Sequence, residues 1–237
     1  PTPTPTPIPM DPSQPLVLVP PAVAQGEPLL VRLREPNAER VVALLDQQEL
    51  PLQRLDGETW AGVLAAPADI SPGHQPVYVT VIRPGGETVP YNAMLTLHSG
   101  GYAEESINLD LSEAPERATW IDPAVREGEH ARLRELSAAV SPERLWSGTW
   151  RAPVTVTVSS MFGTRRDYNE GSYAGRHSGL DLRAATGTPI LAAARGRVSA
   201  TETFEILGNS VWLDHGWGVH SGYGHLSEIL VQPGAIV

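Results

Sequence analysis

Cysteine is absent from all 237 residues, which excludes disulfides, thiolate zinc sites and a cysteine nucleophile at once. Lysine is absent as well. All 17 basic residues are arginines, and they form no contiguous stripe of the kind that nucleic acid demands. No apolar run approaches the ~20 residues of a membrane-spanning helix, and no basic-plus-apolar signal pattern occurs. The formal net charge is -10, yet from Arg151 onward seven acidic residues balance seven basic ones. The acidic excess therefore lies before Arg151. It argues against anionic partners and reads as ordinary solvated surface.

Proline and glycine are plentiful, 23 and 22 residues, and their placement divides the chain. Residues 1–14 begin Pro1-Thr-Pro-Thr-Pro-Thr-Pro-Ile-Pro9. Alternating prolines lock φ and remove donors, so an extended, solvated linker is expected. Such stalks commonly separate a membrane or lipid anchor from an extracytoplasmic domain. The first residue is Pro rather than Met, so an upstream segment, with an anchor in it, is also expected. The expected location is extracytoplasmic: secreted, periplasmic or anchored at the cell surface.

The length suits one large or two ordinary domains, and the expected fold class is mainly β. Over residues 15–99, Leu16–Val19, Pro28–Leu33, Val41–Leu45 and Val77–Ile82 read as short strands. Pro84-Gly-Gly86 marks a hairpin returning through Tyr91–Leu97. Strands at this spacing predict an Ig-like β-sandwich without reactive clusters. Residues 100–150 read as a partly helical connector, with Asp122 as N-cap and Pro123 in the first turn. Trp120, Trp146 and Trp150 are expected to anchor it. Residues 151–237 return to strands at Val154–Val158, Pro189–Ala194, Gly196–Ala200 and Ser210–Leu213.

Nearly all the chemistry lies in that last stretch, around His177-Ser-Gly-Leu-Asp181. For His177 and Asp181 to hold one zinc, their donor atoms must come within ~4 Å. On a straight strand, residues four apart lie ~13 Å apart. A helix would fit but conflicts with the strand pattern, so a bend at Ser178-Gly179, using glycine's conformational freedom, is the predicted solution. Taken alone, a His-x-x-x-Asp motif is weak and a His beside a Gly turn is usually a surface residue.

The wider pattern is more specific. Ser160-Met-Phe-Gly-Thr-Arg-Arg-Asp-Tyr168, His177-Ser-Gly-Leu-Asp181, Gly187-Thr-Pro-Ile-Leu-Ala-Ala-Ala-Arg-Gly-Arg-Val198 and Tyr223-Gly-His-Leu-Ser227 follow one another in this order. Together they resemble the lysostaphin/LytM-type zinc metalloendopeptidases, the peptidoglycan hydrolases, over residues ~145–237. The resemblance implies Zn2+ as cofactor, His177 and Asp181 as metal ligands, His225 as a catalytic imidazole, and peptides of bacterial peptidoglycan as substrate. In such a site zinc polarises the scissile carbonyl and lowers the pKa of a bound water from ~15.7 to about 7, and an imidazole titrating near neutrality accepts the proton. Arg165, Arg166, Tyr168 and Asn169 are expected to border the groove.

The family completes its site with a His-x-His motif several tens of residues after Tyr-x-His-Leu, supplying the third ligand and a second catalytic imidazole. No His-x-His occurs here, so residues 151–237 are expected to be a LytM-like domain truncated at its C-terminal side. His215 is expected to be structural, His220 a non-ligand, and His74, His98 and His130 surface residues. Glu104-Glu105, adjacent on an extended chain, reads as surface rather than a glycosidase pair. No Gly-x-Ser-x-Gly elbow or phosphate loop is present. The leading expectation is a zinc endopeptidase cleaving peptidoglycan cross-links. The alternatives are a non-catalytic cell-wall-binding or hydrolase-activating relative, and a β-sandwich adhesive module with the C-terminal domain as companion.

Overall fold

The structure, a computed structural model, describes residues 14–237. Of the linker expected over 1–14, all but Gln14 lies outside the described residues. The chain forms two compact units, Pro1–Gly100 and Gly101–Val237. Each is mainly β.

In the first unit the strands are β1 (Leu16–Val19), β2 (Ala22–Ala24), β3 (Pro28–Arg34), β4 (Arg40–Leu45), β5 (Gln48–Pro51), β6 (Gln53–Arg54), β7 (Thr59–Ala65), β8 (Gly73–Ile82) and β9 (Thr88–His98). They form two sheets, ordered β1-β3-β7-β6 and β2-β9-β8-β4-β5. Alternation explains the core, because successive side chains of a strand point to opposite faces. Leu29, Val31 and Leu33 of β3, Val41, Ala43 and Leu45 of β4, and Val77, Val79 and Val81 of β8 are all buried. Each fully buried Leu or Val contributes roughly 1.5–3 kcal/mol over its exposed state. Glu35 is buried here too, but Tyr91 donates to it at 2.8 Å and Arg83 at 3.1 Å. Burial alone would raise its carboxyl pKa; these two partners more than offset that and hold it below the usual carboxylate range.

The second unit contains β10 (Glu104–Ile107), a 3-10 turn over Pro115–Ile121, α1 (Pro123–Leu136), β11 (Val158–Ser160), β12 (Arg165–Tyr168), β13 (Tyr173–Arg176), β14 (Asp181–Leu182), β15 (Arg197–Phe204), β16 (Gly208–Gly216) and β17 (Val219–Tyr223). The helix starts as expected: Asp122 accepts from the Ala124 and Val125 amides at 2.8 and 3.3 Å, and Pro123 follows. Residues 101–150 pack as part of this unit. β10 pairs in parallel with β12, the Arg126 guanidinium lies 3.9 Å from the Tyr173 ring centre, and Arg132 Nε donates to Glu202 of β15 at 3.1 Å. Trp146 and Trp150 anchor as expected, Trp146 edge-on to Trp217 at 5.8 Å and Trp150 against His215 at 4.6 Å. Trp120 lies beneath the Arg117 guanidinium, 5.7 Å from its ring centre, and its carbonyl accepts from Arg126 Nη1.

Two expected strands are absent. Only Val158 of Val154–Val158 is in a strand. Pro189–Ala194 is irregular, joined to the chain opposite by the bonds Leu191 N–H to Pro153 O and Arg151 N–H to Ala193 O, both 2.9 Å. Pro153 and Pro189 lack the N–H that a continuous ladder would use.

The sheets of this unit are β10-β12-β13, β11-β14 and β15-β16-β17. The last carries the core of Val198, Val211 and Leu213, covered by Tyr223, Leu226, Ile229 and Val231. The first two meet at residues 177–180, where the chain leaves β13 and enters β14.

Candidate functional site

His177 stands at the end of β13, held by reciprocal backbone bonds. Its N–H donates to Thr164 O, and its carbonyl accepts from Gly163 N–H, both at 2.8 Å. The turn 161–164 that supplies these groups needs glycine at 163, where φ is +81° and an added Cβ would lie 2.1 Å from the Tyr102 ring. That turn also aims the Met161 carbonyl at the imidazole, 3.0 Å from Nδ1. A carbonyl oxygen can only accept, so Nδ1 donates to it, and Nε2 is left facing away from that turn.

Nε2 faces Asp181 Oδ1 at 3.0 Å. Two donors of one tetrahedral zinc lie about 3.3 Å apart, close to this separation, which is also that of an imidazole–carboxylate ion pair. Asp181 is placed by β14, where it is the register partner of Ser160 in β11. Its other oxygen, Oδ2, accepts from Arg166 Nη2 at 3.1 Å. The His177 side chain is 11% exposed and that of Asp181 42%, so the pair opens to solvent on the carboxylate side. Met161, Phe162 and Leu180, near the pair in sequence, are exposed.

The bend that closes the pair differs in detail from expectation. Gly179 does not use a left-handed φ, and only His177 Nε2, at 3.9 Å, lies near where its Cβ would be. The chain does bend at Gly179 as it passes from β13 to β14, with a φ outside the left-handed region.

His225 lies just after β17 with φ +55°, exposed, its backbone N–H bonded to Leu207 O at 2.7 Å. Among the described residues no hydrogen bond joins its imidazole to His177 or Asp181, and no group of three His, Asp or Glu able to hold a metal is formed. His220 is turned elsewhere, Nε2 2.8 Å from Ala139 O. His215 is fully buried between Arg195 O (2.9 Å) and Ser221 Oγ (2.7 Å), and burial pushes its pKa below the ordinary imidazole value.

Of the four residues expected at the groove, two are elsewhere. Tyr168 is buried, and Asn169 clamps Leu109, its side chain accepting from the Leu109 N–H at 2.6 Å. Alternation along β12 turns Tyr168 inward, while Asn169, in the turn beyond, is half-buried. Arg165 and Arg166 line a cavity of about 480 Å³ together with Glu104, Glu105 and Arg176, which neither His177 nor Asp181 lines. Glu104 and Glu105 are paired with those arginines, at 3.3 and 3.5 Å. Sequence reading missed the bond from Arg166 to Asp181. Fifteen positions separate them, and only a register that brings β14 beside β11 reveals the contact.

Residues 175–237 match the family model for peptidase family M23. The chain is 35% identical over 77 residues to the peptidoglycan DD-endopeptidase ShyA of Vibrio cholerae serotype O1 (strain ATCC 39315 / El Tor Inaba N16961), an alignment covering 32% of this chain and 18% of that protein. The match thus spans about a fifth of the relative's length. A crystal structure from Pseudomonas aeruginosa, assigned to peptidase M23, superposes with a TM-score of 0.58 at 25% identity, covering 88% of this chain and 76% of that one. The M23 match begins at Gly175 and so contains His177, Asp181 and His225. No helix among the described residues is long and apolar enough to cross a membrane.

Proposed function

We propose that this protein is a zinc-dependent endopeptidase that cuts peptide cross-links of bacterial peptidoglycan outside the cytoplasm. The observation that carries this is the convergence of His177 Nε2 and Asp181 Oδ1 to 3.0 Å, with Nδ1 tied back to the Met161 carbonyl. A metal-ligating imidazole characteristically donates its second N–H to such an acceptor. The M23 match over residues 175–237 and the likeness to a peptidoglycan DD-endopeptidase support the substrate. On this reading residues 1–14 are a linker, 15–99 an Ig-like sandwich, 100–150 a connector and 151–237 the catalytic domain.

His177 and Asp181 fit zinc as part of a donor set, since both present an oxygen or nitrogen lone pair to one point from a largely ordered backbone. Zinc bound there would supply Lewis-acid polarisation of the scissile carbonyl and of water. His177 has its Nδ1 occupied by the Met161 carbonyl, which leaves Nε2 as the nitrogen that would ligate. Asp181 contributes the negative charge, with Arg166 balancing its outer oxygen. His225, exposed on the turn after β17, is the imidazole that moves the proton of the attacking water.

One observation favours a second reading, a non-catalytic cell-wall-binding or hydrolase-activating relative: the described residues bring no third His, Asp or Glu to the pair. Both readings meet in one experiment. The full-length protein and its His177→Ala variant are assayed for bound zinc and for release of soluble peptide from purified cell wall. The enzyme reading expects about one zinc per chain and cleavage in the parent, with both lost in the variant. Equal cleavage by the two proteins sinks it, and wall binding without cleavage by either establishes the second reading.

A further inference from the structure

We propose that His215, Ser221 and Tyr223 form a proton-operated latch: with the imidazole neutral they hold residues 193–195 against the β15-β16-β17 sheet, and a proton on His215 releases that stretch. The inference is independent of any metal and of the function proposed above.

The latch is a chain of four hydrogen bonds that can run in one direction only. The Ala193 N–H must donate, and it meets Tyr223 Oη at 2.8 Å. At the other end the Arg195 carbonyl must accept, so His215 Nδ1, 2.9 Å away, donates to it. In the neutral ring Nε2 is then an acceptor, and Ser221 Oγ donates to it at 2.7 Å. That uses the one hydrogen of Ser221, so the Tyr223 hydroxyl donates to Ser221 Oγ across 3.1 Å. The chain leaves from Ala193 and returns at Arg195, tying an irregular stretch to β16 and β17. Ala193 is also the residue whose carbonyl accepts from the Arg151 N–H at 2.9 Å.

The packing around the imidazole is close. His215 is fully buried, the Trp150 ring lies 4.6 Å from it, and a Cβ on Gly196 would stand 2.7 Å from Nδ1. Such a site suits a neutral ring and penalises a charged one. A proton on Nε2 makes that nitrogen a donor facing Ser221 Oγ, so the Ser221 hydrogen must turn away and the one-way order is lost. Among the described residues no carboxylate is bonded to the ring. Asp214 of β16 favours the charge, but its oxygens are taken by the Gly216 N–H, at 2.7 Å, and by Ser141 Oγ. His220 of β17 opposes the charge. From the other sides the ring meets the Arg195 carbonyl and Trp150, and reaches Tyr223 through Ser221. Burial is the largest influence and holds the imidazole below its ordinary value. The latch is therefore closed above about pH 6.5 and weakens below it, because the opened, hydrated imidazole binds the proton more tightly.

The test is amide hydrogen exchange by NMR on the full-length protein, read as protection factors corrected for the intrinsic pH dependence of exchange. Between pH 7.5 and 5.0 the Ala193 amide is expected to lose about tenfold in protection. Leu213, in the central strand β16, should keep its protection, which marks the release as local. Tyr223→Phe removes the acceptor of the Ala193 N–H and should give low protection at pH 7.5 already. His215→Asn, which takes up no proton in this range, should abolish the pH dependence at Ala193. Constant protection of Ala193 in the parent overturns the proposal, as does a fall that persists in His215→Asn or an equal fall at Leu213. Should His215→Asn fail to fold, the imidazole nitrogen shifts of the parent carry the test. They are expected to show hydrogen on Nδ1 alone at pH 7.5, and hydrogen on Nε2 at that pH overturns the latch.

Discussion

His215 and His177 sit 38 positions apart in the same unit and show how differently one residue type is used. His215 is sealed between Arg195 O and Ser221 Oγ, with Ser221 in turn 3.1 Å from the Tyr223 hydroxyl. Its pKa is depressed, mainly by burial, so the folded protein resists protonating it while the unfolded chain protonates near 6.5. The unfolded state therefore binds the extra proton first. Stability from this group is complete above about pH 6.5 and is lost as pH falls below it toward the lower folded value. Urea unfolding between pH 7.5 and 5.5 should show a falling midpoint, with a slope of up to about 1.4 kcal/mol per pH unit from this residue. His215→Asn should flatten that slope and lower stability at pH 7.5 by about 1–3 kcal/mol, since a buried partner is left unpaired. A slope identical in the variant removes His215 from the explanation. His177, by contrast, keeps one nitrogen for Met161 and turns the other to a carboxylate open to solvent.

Elements, not single residues, bring the candidate ligands together. β13 ends at Arg176 and β14 begins at Asp181, and the chain between them changes sheets. That exchange turns a four-residue separation into a 3.0 Å contact. The turn before β12 does the complementary work of aiming Met161. Alanine substitutions at the two nearby glycines should then diverge. Gly163→Ala meets the Tyr102 ring and a left-handed φ; it should cost at least about 2 kcal/mol in thermal unfolding. Gly179→Ala has open space and an ordinary φ and should stay within about 0.5 kcal/mol. Equal costs at both would show that the bend, after all, depends on Gly179.

At the scale of the whole molecule, the two units differ in what they can respond to. Pro1–Gly100 carries a core of alternating Leu and Val with Glu35 satisfied inside it; the candidate donors all lie in Gly101–Val237. Zinc at a hundred times its dissociation constant stabilises the state that binds it by about 2.7 kcal/mol. Calorimetry of the full-length protein with zinc and with EDTA should therefore move the unfolding of the C-terminal unit alone. A shift in the transition of the N-terminal unit would place metal where no donors are described. Much of this organisation was legible in the residues themselves. Period-two burial in β3, β4 and β8, the Asp122-Pro123 helix start, and the division of a quiet N-terminal part from a chemical C-terminal part are local properties, set by side-chain alternation and by backbone donors. The His-x-x-x-Asp pair was legible as a candidate for the same reason. The tertiary structure alone decided that the pair closes where the chain passes between two sheets, that Tyr168 turns inward while Asn169 bonds Leu109, and that Arg166 reaches Asp181 across two strands. Those outcomes depend on register and on which strands become neighbours, and such long-range pairings leave no local trace in sequence.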